Sequence, residues 1–301
     1  MRQRRLLGVL VAAVAVITLA TACSSSKISS DSTGTSGADG YAMAEATSLP
    51  AAIQEIKDRG KLTWGVKFDQ PLMGLRNPVS GEIEGFDAEM GRLVALRIFG
   101  SDDSSKLEFV ETISANREQY LNSGKIDMLA ATYTISDVRK EIVDFAGPYF
   151  EAGQDILTKK DDTSINGLSD LSGKKVCVTV GSNSLTNLQE LNPEADVSAP
   201  LKAYSDCALA VRNGTYDALS TDNVILLGYL SNSPDAFRVV GDPFTSEPYG
   251  IAFAHDSPEL RSFVNETLEL ARENGDWVKA YEKTIGVADP KVPTQPAVAP
   301  Y

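Results

Sequence analysis

The chain has 301 residues and a formal net charge of −13, with 28 Lys and Arg set against 41 Asp and Glu. That balance argues against nucleic acid or an anionic membrane surface as a partner, because both demand a basic face. Any acidic ligand would have to be held by a local basic cluster working against the field of the whole protein.

In chain order, Arg2, Arg4 and Arg5 open a positive stretch, and residues 6–22 form an apolar run broken by Gly8, Thr18 and Thr21. A positive start, an apolar centre and small residues before a cut describe an export signal. The run is short for a spanning helix, which wants about 20 apolar residues. Cys23 directly follows Ala20-Thr21-Ala22, a pattern that resembles a lipobox. Ala20 stands where most lipoboxes carry Leu, with Leu19 one place earlier. The reading is a lipoprotein signal peptide over 1–22, lipidation of Cys23, and an exported protein held at the extracellular face of the cell membrane by its lipid alone. Removing the signal removes three arginines and takes the formal charge to −16. Residues 23–48, rich in Ser, Gly, Thr and Ala, bury too little apolar surface to offset their ordering entropy and read as a flexible tether.

Beyond the tether, 62–67 is β-leaning, and 86–99 sets Met90, Leu93, Val94 and Ile98 on one helical stripe. Residues 128–133 are again extended, and Ser136 caps a short helix. The second half gives a strand over 176–180, a helix over 184–191, a helix over 208–212 and a strand over 217–220. Leu260, Phe263, Val264, Leu268 and Ala271 then share one face of a helix over 259–272. The tail, 287–301, with Pro290, Pro293, Pro296 and Pro300, reads as a second flexible segment. Roughly 235 residues lie between tether and tail, enough for one or two domains. Alternating elements give an α/β class with helices on both faces of a sheet, and periodicity leaves open whether there is one sheet or two.

With Cys23 assigned to lipid, Cys177 and Cys207 remain in an oxidising compartment, where pairing is favoured. Such a disulfide would stabilise by about 3–4 kcal/mol in the chain-entropy model; two buried free thiols are the alternative. The chain shows no P-loop, no dinucleotide glycine fingerprint and no paired-cysteine metal motif, so neither metal nor cofactor is expected. His255 is the only histidine, which constrains any Ser-His or Cys-His triad.

An ordered set of short motifs carries a family resemblance. Gly85-Phe86-Asp87-Ala88-Glu89-Met90 and Leu93-Val94-Ala95 are followed by Gly124-Lys125-Ile126-Asp127, Thr132-Tyr133-Thr134-Ile135-Ser136, Arg139 and Val143-Asp144-Phe145. Leu171-Ser172-Gly173-Lys174-Lys175-Val176, Gly181-Ser182 and Pro248-Tyr249-Gly250-Ile251-Ala252 complete it. Together they resemble the extracellular solute-binding proteins of polar-amino-acid ABC importers, and within these the glutamate/aspartate-binding lipoproteins of the actinobacterial type. Ala88 departs from the pattern, where a larger aliphatic is usual. The resemblance implies a two-lobed periplasmic-binding-protein fold of type II, with the lobes joined by two crossover strands and the ligand gripped between them. Mapped here, lobe one is 49–148 plus 250–286, lobe two is 154–244, and the hinges are 149–153 and 245–249.

The same resemblance implies the site. Arg139 matches the arginine that grips an α-carboxylate, for which its planar fork is suited, with Thr132 and Thr134 as further donors. Asn183 and Ser184 open a helix whose free N–H groups favour an anion, and Asp222 matches the acid that accepts from the α-ammonium. Read without the family, Arg139 could instead pair with Asp144, and Asp222 could merely cap a helix. Lys67, Ser114 and Arg117 match positions that hold a side-chain carboxylate, and Phe86 and Tyr204 would neighbour the ligand's stem. Lys67, Arg117, Arg139 and Asp222 together carry a charge of +2, which suits L-glutamate better than L-aspartate or L-glutamine, since a neutral side chain would leave two cations desolvated without a charge partner. The alternative is Lys67 reaching solvent and Arg117 pairing with Glu118 or Asp127.

The resulting expectation is a non-enzymatic receptor that closes on its ligand, docks on a membrane permease and depends on a cytoplasmic ATPase for uptake. A sensor subunit docking on a membrane receptor would use the same closure. A dehydratase on the same fold would need a general acid in the cleft with a shifted pKa, and no histidine falls at a matched position.

Overall fold

The computed structural model describes residues 40–299. The signal, Cys23 and the tether up to residue 39 lie outside the described residues. In chain order the elements are α1 (Ala51–Arg59), β1 (Leu62–Val66), β2 (Asp69–Gln70), β3 (Gly74–Arg76), β4 (Ile83–Glu84), α2 (Phe86–Phe99), β5 (Leu107–Glu111), α3 (Arg117–Asn122), β6 (Met128–Leu129), α4 (Asp137–Lys140) and β7 (Val143–Ala152). Next come β8 (Gln154–Lys159), β9 (Val176–Cys177), α5 (Asn183–Leu191), α6 (Tyr204–Asn213), β10 (Ala218–Asp222), α7 (Asn223–Asn232) and β11 (Phe237–Val239). Finally β12 (Glu247–Ala254), α8 (Pro258–Glu273) and α9 (Asp276–Lys283) return to the first half.

These strands form two main sheets, one per lobe. In lobe one the order is β5-β1-β6-β12-β7, and β1 runs parallel to both neighbours. In lobe two the order is β11-β8-β10-β9, with β9 and β10 parallel. A small antiparallel sheet, β2-β3-β4, adds to lobe one. The chain passes to lobe two between β7 and β8 and comes back along β12, which pairs with β7 from Glu247↔Ala152 to Ala254↔Val143. Gly153 stands at the crossing. A Cβ there would meet the carbonyl oxygen of Thr245 at 2.6 Å, so only glycine lets the two crossover segments lie this close.

Helix α2 departs from a single-stripe reading. It buries eleven of its residues, Asp87 and Glu89 among them, because it lies between β1, β3, α8 and α9. Gly91 permits this, since a Cβ would touch the Trp64 ring at 3.0 Å. Helix α8 follows its periodic pattern, burying Leu260, Phe263, Val264, Leu268 and Ala271. A disulfide joins Cys177 of β9 to Cys207 of α6, with Cα atoms 5.5 Å apart.

Within the two segments read as flexible, the described residues 40–48 and 287–299 are docked instead. In the expected tether, Tyr41 is 1% exposed and its hydroxyl donates to Glu89 at 2.7 Å. The Ala42 N–H donates to Asp276 Oδ1 at 2.7 Å, and Ala46 N–H to the Arg97 carbonyl at 2.9 Å. In the tail, the Gln295 amide donates to the Leu268 carbonyl at 3.0 Å, Ala299 N–H donates to Gly147, and Val292 and Val298 pack on the core. Average composition hid both, because a few anchors (Tyr41, Met43, Gln295) suffice when their polar groups find partners. The extended 128–133 is a strand only at Met128–Leu129, because the backbone turns at Thr132, whose φ is 45°. Likewise 176–180 is a strand only at Val176–Cys177, and Thr179 then makes an isolated bridge to Leu201.

Candidate functional site

The site residues converge from the ends of strands and the starts of helices. Lys67 follows β1, Ser114 and Arg117 lie at the turn into α3, Thr132 and Thr134 follow β6, and Arg139 is on α4. Lobe two contributes Asn183 and Ser184 at the start of α5, Tyr204 at the start of α6, and Asp222 at the C-terminal end of β10. All of these except Asn183 are 9% exposed or less.

The cationic end is built on lobe one. The Lys67 ammonium donates to Ser114 Oγ at 2.7 Å and lies 5.6 Å from the Tyr204 ring centroid. Arg117 lays its guanidinium over the Tyr133 ring at 3.9 Å and donates across the cleft to the Gly181 carbonyl of lobe two at 2.9 Å. Arg139 lies over the same ring at 4.5 Å and donates to the Thr134 carbonyl at 2.8 Å. The surface pairings considered above do not form. Asp144 pairs with Arg261, Asp127 with Arg59, and Glu118 accepts from the Tyr133 hydroxyl. Lys67, Arg117 and Arg139 make no ion pair among the described residues.

That crowding has electrostatic consequences. Burial, then the neighbouring Arg117, lowers the Lys67 ammonium to about 7. Burial and Arg117 also bring Arg139 down to about 10. On the opposite wall, burial and then Glu247 raise the Asp222 carboxyl to about 7. Asp222 Oδ2 accepts from the Tyr249 hydroxyl, while Oδ1 is buried without a protein partner. Although Asp222 occupies the N-cap position of α7, its side chain does not bond the helix amides; capping is therefore not its role. Asp222 is thus a buried acid with a raised pKa among the site residues, although no histidine falls at a matched position.

Three residues not singled out from sequence complete the site. Glu247, 1% exposed on β12, accepts on Oε2 from Thr134 Oγ1 at 2.7 Å and Asn183 Nδ2 at 2.8 Å, and on Oε1 from Asn187 Nδ2 and Thr245 Oγ1 at 2.8 Å each. The side chains of Thr134 and Asn183, expected to face a ligand's carboxylate, thus already hold an internal one. Asp87, wholly buried, accepts from the Thr132 N–H at 2.8 Å and the Tyr149 hydroxyl at 2.6 Å, and burial raises it to about 7. It pins Thr132 in its left-handed conformation, which costs a β-branched residue about 1–3 kcal/mol. Tyr133 is the shared platform of both arginines. All three lie within or one residue beside the motifs quoted above, but the motifs carry no sign of these contacts.

Phe86 is not brought to the cleft. Its ring packs among Tyr149, Phe150, Trp277 and Tyr281, with centroids 5.5–6.3 Å away, in the core of lobe one. Ser184 directs its Oγ to Thr221 at 3.4 Å, and Ser182, not Asn183, is the N-cap of α5.

The chain is 40% identical over 253 residues to the ABC transporter glutamine-binding protein GlnH of Bacillus subtilis (strain 168), covering 84% of this chain and 90% of that one. Over 246 residues it is 36% identical to the glutamate-binding protein GluB of Corynebacterium efficiens, covering 79% and 82%. Among solved structures, an ancestral arginine-binding protein bound to glutamine is similar with a TM-score of 0.70 at 36% identity, over 76% of this chain and 99% of that one. The model of the bacterial extracellular solute-binding proteins, family 3, matches residues 62–287, and with its two lobes and the cleft between them the chain belongs to that family.

Proposed function

We propose that the protein is a lipid-anchored extracellular receptor for L-glutamate, with L-glutamine and L-aspartate as weaker ligands, delivering to an ABC permease. The observation that carries this reading is the pair Lys67 and Arg117, both buried and neither ion-paired to an acid. A γ-carboxylate placed between them would give each cation the partner it lacks. At the other end, Arg139 and the orphaned Asp222 Oδ1 suit the α-carboxylate and α-ammonium that every α-amino acid carries. The relatives named for glutamine and glutamate support this class of ligand.

The electrostatic margin is narrower than the residue count of +2 implied. Glu247 adds a buried negative charge beside Arg139 and Asp222, and a Lys67 near its titration point carries only part of its charge. Glutamine is therefore a near competitor. A ligand that touches both lobes stabilises the closed arrangement by its differential affinity for it, and the closed receptor is the form a permease would recognise.

The test is calorimetry on protein stripped of carried-over ligand by unfolding and refolding. L-Glutamate, L-glutamine and L-aspartate are titrated in parallel. A glutamate affinity at least about tenfold (about 1.4 kcal/mol) above that of glutamine supports the reading. Binding led by glutamine keeps the receptor and removes the assigned roles of Lys67 and Arg117. For the anchor, mass spectrometry of the membrane-extracted protein should show an acylated N-terminal Cys23, and Cys23→Ser should release the protein to the medium.

A further inference from the structure

Away from the ligand contacts, one carboxylate joins the lobes. Asp69 belongs to β2 of lobe one, and its Oδ2 accepts from the backbone N–H of Tyr204 at 2.8 Å and of Ser205 at 3.2 Å. These are the first two residues of α6 in lobe two. The N-cap of that helix is Ala203, which offers no side-chain acceptor. A helix leaves its first N–H groups unsatisfied, and aspartate is among the acceptors that satisfy them best. Here the acceptor comes from the opposite lobe. Two contacts reinforce it. The Tyr229 hydroxyl of α7 donates to the Asp69 carbonyl at 2.5 Å. On the same helix, Gly228 sits so close that a Cβ would come within 2.3 Å of the Pro71 carbonyl oxygen.

We propose that Asp69 is a positioning residue for ligand capture, completing the N-terminal cap of α6 from across the cleft when the lobes close. Separation of the lobes breaks all of these contacts together, because each links the 69–71 segment of lobe one to a helix of lobe two. The latch adds the same stabilisation to the closed form whatever the ligand, and so deepens affinity without choosing between ligands. It also holds Tyr204, whose ring faces Lys67, in place at the site. The choice of ligands in the test rests on the function proposed above.

The test uses the wild-type protein with Asp69→Ala, Tyr229→Phe and Gly228→Ala. Affinities for L-glutamate and L-glutamine are measured by calorimetry, and exchange of the Tyr204 and Ser205 amides by NMR. Asp69→Ala should weaken both ligands by about tenfold (about 1.4 kcal/mol). The two amides should be protected in ligand-saturated wild type and lose that protection in ligand-saturated Asp69→Ala, while the rest of α6 keeps its own. Since the Asp69 charge also raises Lys67, the ratio between ligands is read in Tyr229→Phe, which leaves every charge in place. That variant should weaken both ligands by one common factor of about three. Gly228→Ala should weaken both more strongly while ligand-free thermal unfolding is unchanged, since its methyl opposes closure alone. Equal protection of the two amides with and without ligand overturns the proposal, as does an Asp69→Ala protein that binds like the wild type. A wild-type protein that binds neither amino acid overturns the ligand reading instead.

Discussion

The two ends of the cleft are built on opposite electrostatic plans. Around Arg139 the charges are balanced: Glu247 and Asp222 lie close by, and Glu247 accepts four hydrogen bonds from both lobes and the crossover. Around Lys67 and Arg117 no acid forms an ion pair with either cation, and burial, then the repulsion from Arg117, lowers the ammonium to about 7 although Asp69 and Asp87 act the other way. Desolvated cations without ion-pair partners destabilise a protein, and the proposed function gives this pair the ligand's carboxylate as partner. The balanced end suits the groups shared by all α-amino acids. The unbalanced end suits discrimination.

The largest expected effect lies at the balanced end. Arg139→Ala removes the guanidinium that donates to the Thr134 carbonyl and leaves Glu247 and Asp222 beside each other with Arg117 as the remaining cation acting on Asp222. Binding of every α-amino acid should fall at least about a thousandfold (about 4 kcal/mol), with glutamate and glutamine losing equally. Unequal losses in calorimetry would mean that Arg139 reads the side chain. At the unbalanced end, Arg117→Gln should cut glutamate affinity by about 30-fold and leave glutamine within about threefold, since only the carboxylate ligand loses a charge partner. Equal losses for the two ligands would refute the division into two ends.

Acidity separates the ends without mutation. Asp222 must be ionised to accept an α-ammonium, and its carboxyl titrates near 7. Below that pH, each unit should weaken both ligands by up to about tenfold, because binding must expel a proton. Lys67 must be protonated to hold a γ-carboxylate, and it also titrates near 7. Above that pH, glutamate should weaken by up to about tenfold per unit while glutamine stays level. Affinity against pH should therefore be a peak for glutamate and a rising plateau for glutamine. Two parallel curves would sink the assignment of Lys67.

How much of this was legible in the sequence follows the same division. Lys67, Ser114, Arg117, Arg139 and Asp222 came from the family resemblance, and the structure buries all five at the ends of strands or in the first turns of helices. Helices 86–99 and 259–272 were readable because their apolar spacing repeats through three turns or more. Phe86 misled, because an aromatic at a helix start carries no sign of which side it will pack against. Glu247 was invisible for a related reason. Nothing in Thr245-Ser246-Glu247-Pro248 says that Asn183, Asn187 and Thr134, brought from three separate segments, will each donate to one carboxylate. The docked residues 40–48 and 287–299 failed on averaging, since composition scores a segment while a single Tyr41 or Gln295 anchors it.

The smallest expected effect tests whether the balanced end influences the choice made at the other. Glu247→Gln preserves shape and removes one negative charge. The new amide can be accommodated, because the Thr134 hydroxyl can rotate to accept and the Asn183 amide can turn its oxygen inward. The site then becomes one unit more positive. Because this charge sits nearer to Arg139 and Asp222 than to the unbalanced pair, its influence on the side-chain carboxylate is screened by distance. The ratio of glutamate to glutamine affinity should rise only a few-fold (under about 1 kcal/mol), and the acid limb of both pH curves should move to lower pH as Asp222 loses its like-charged neighbour. A ratio that rises by about thirtyfold or more (about 2 kcal/mol) would place Glu247 against the ligand's side chain and dissolve the distinction between the two ends. An acid limb that stays in place would show that burial alone, and not Glu247, sets the Asp222 carboxyl.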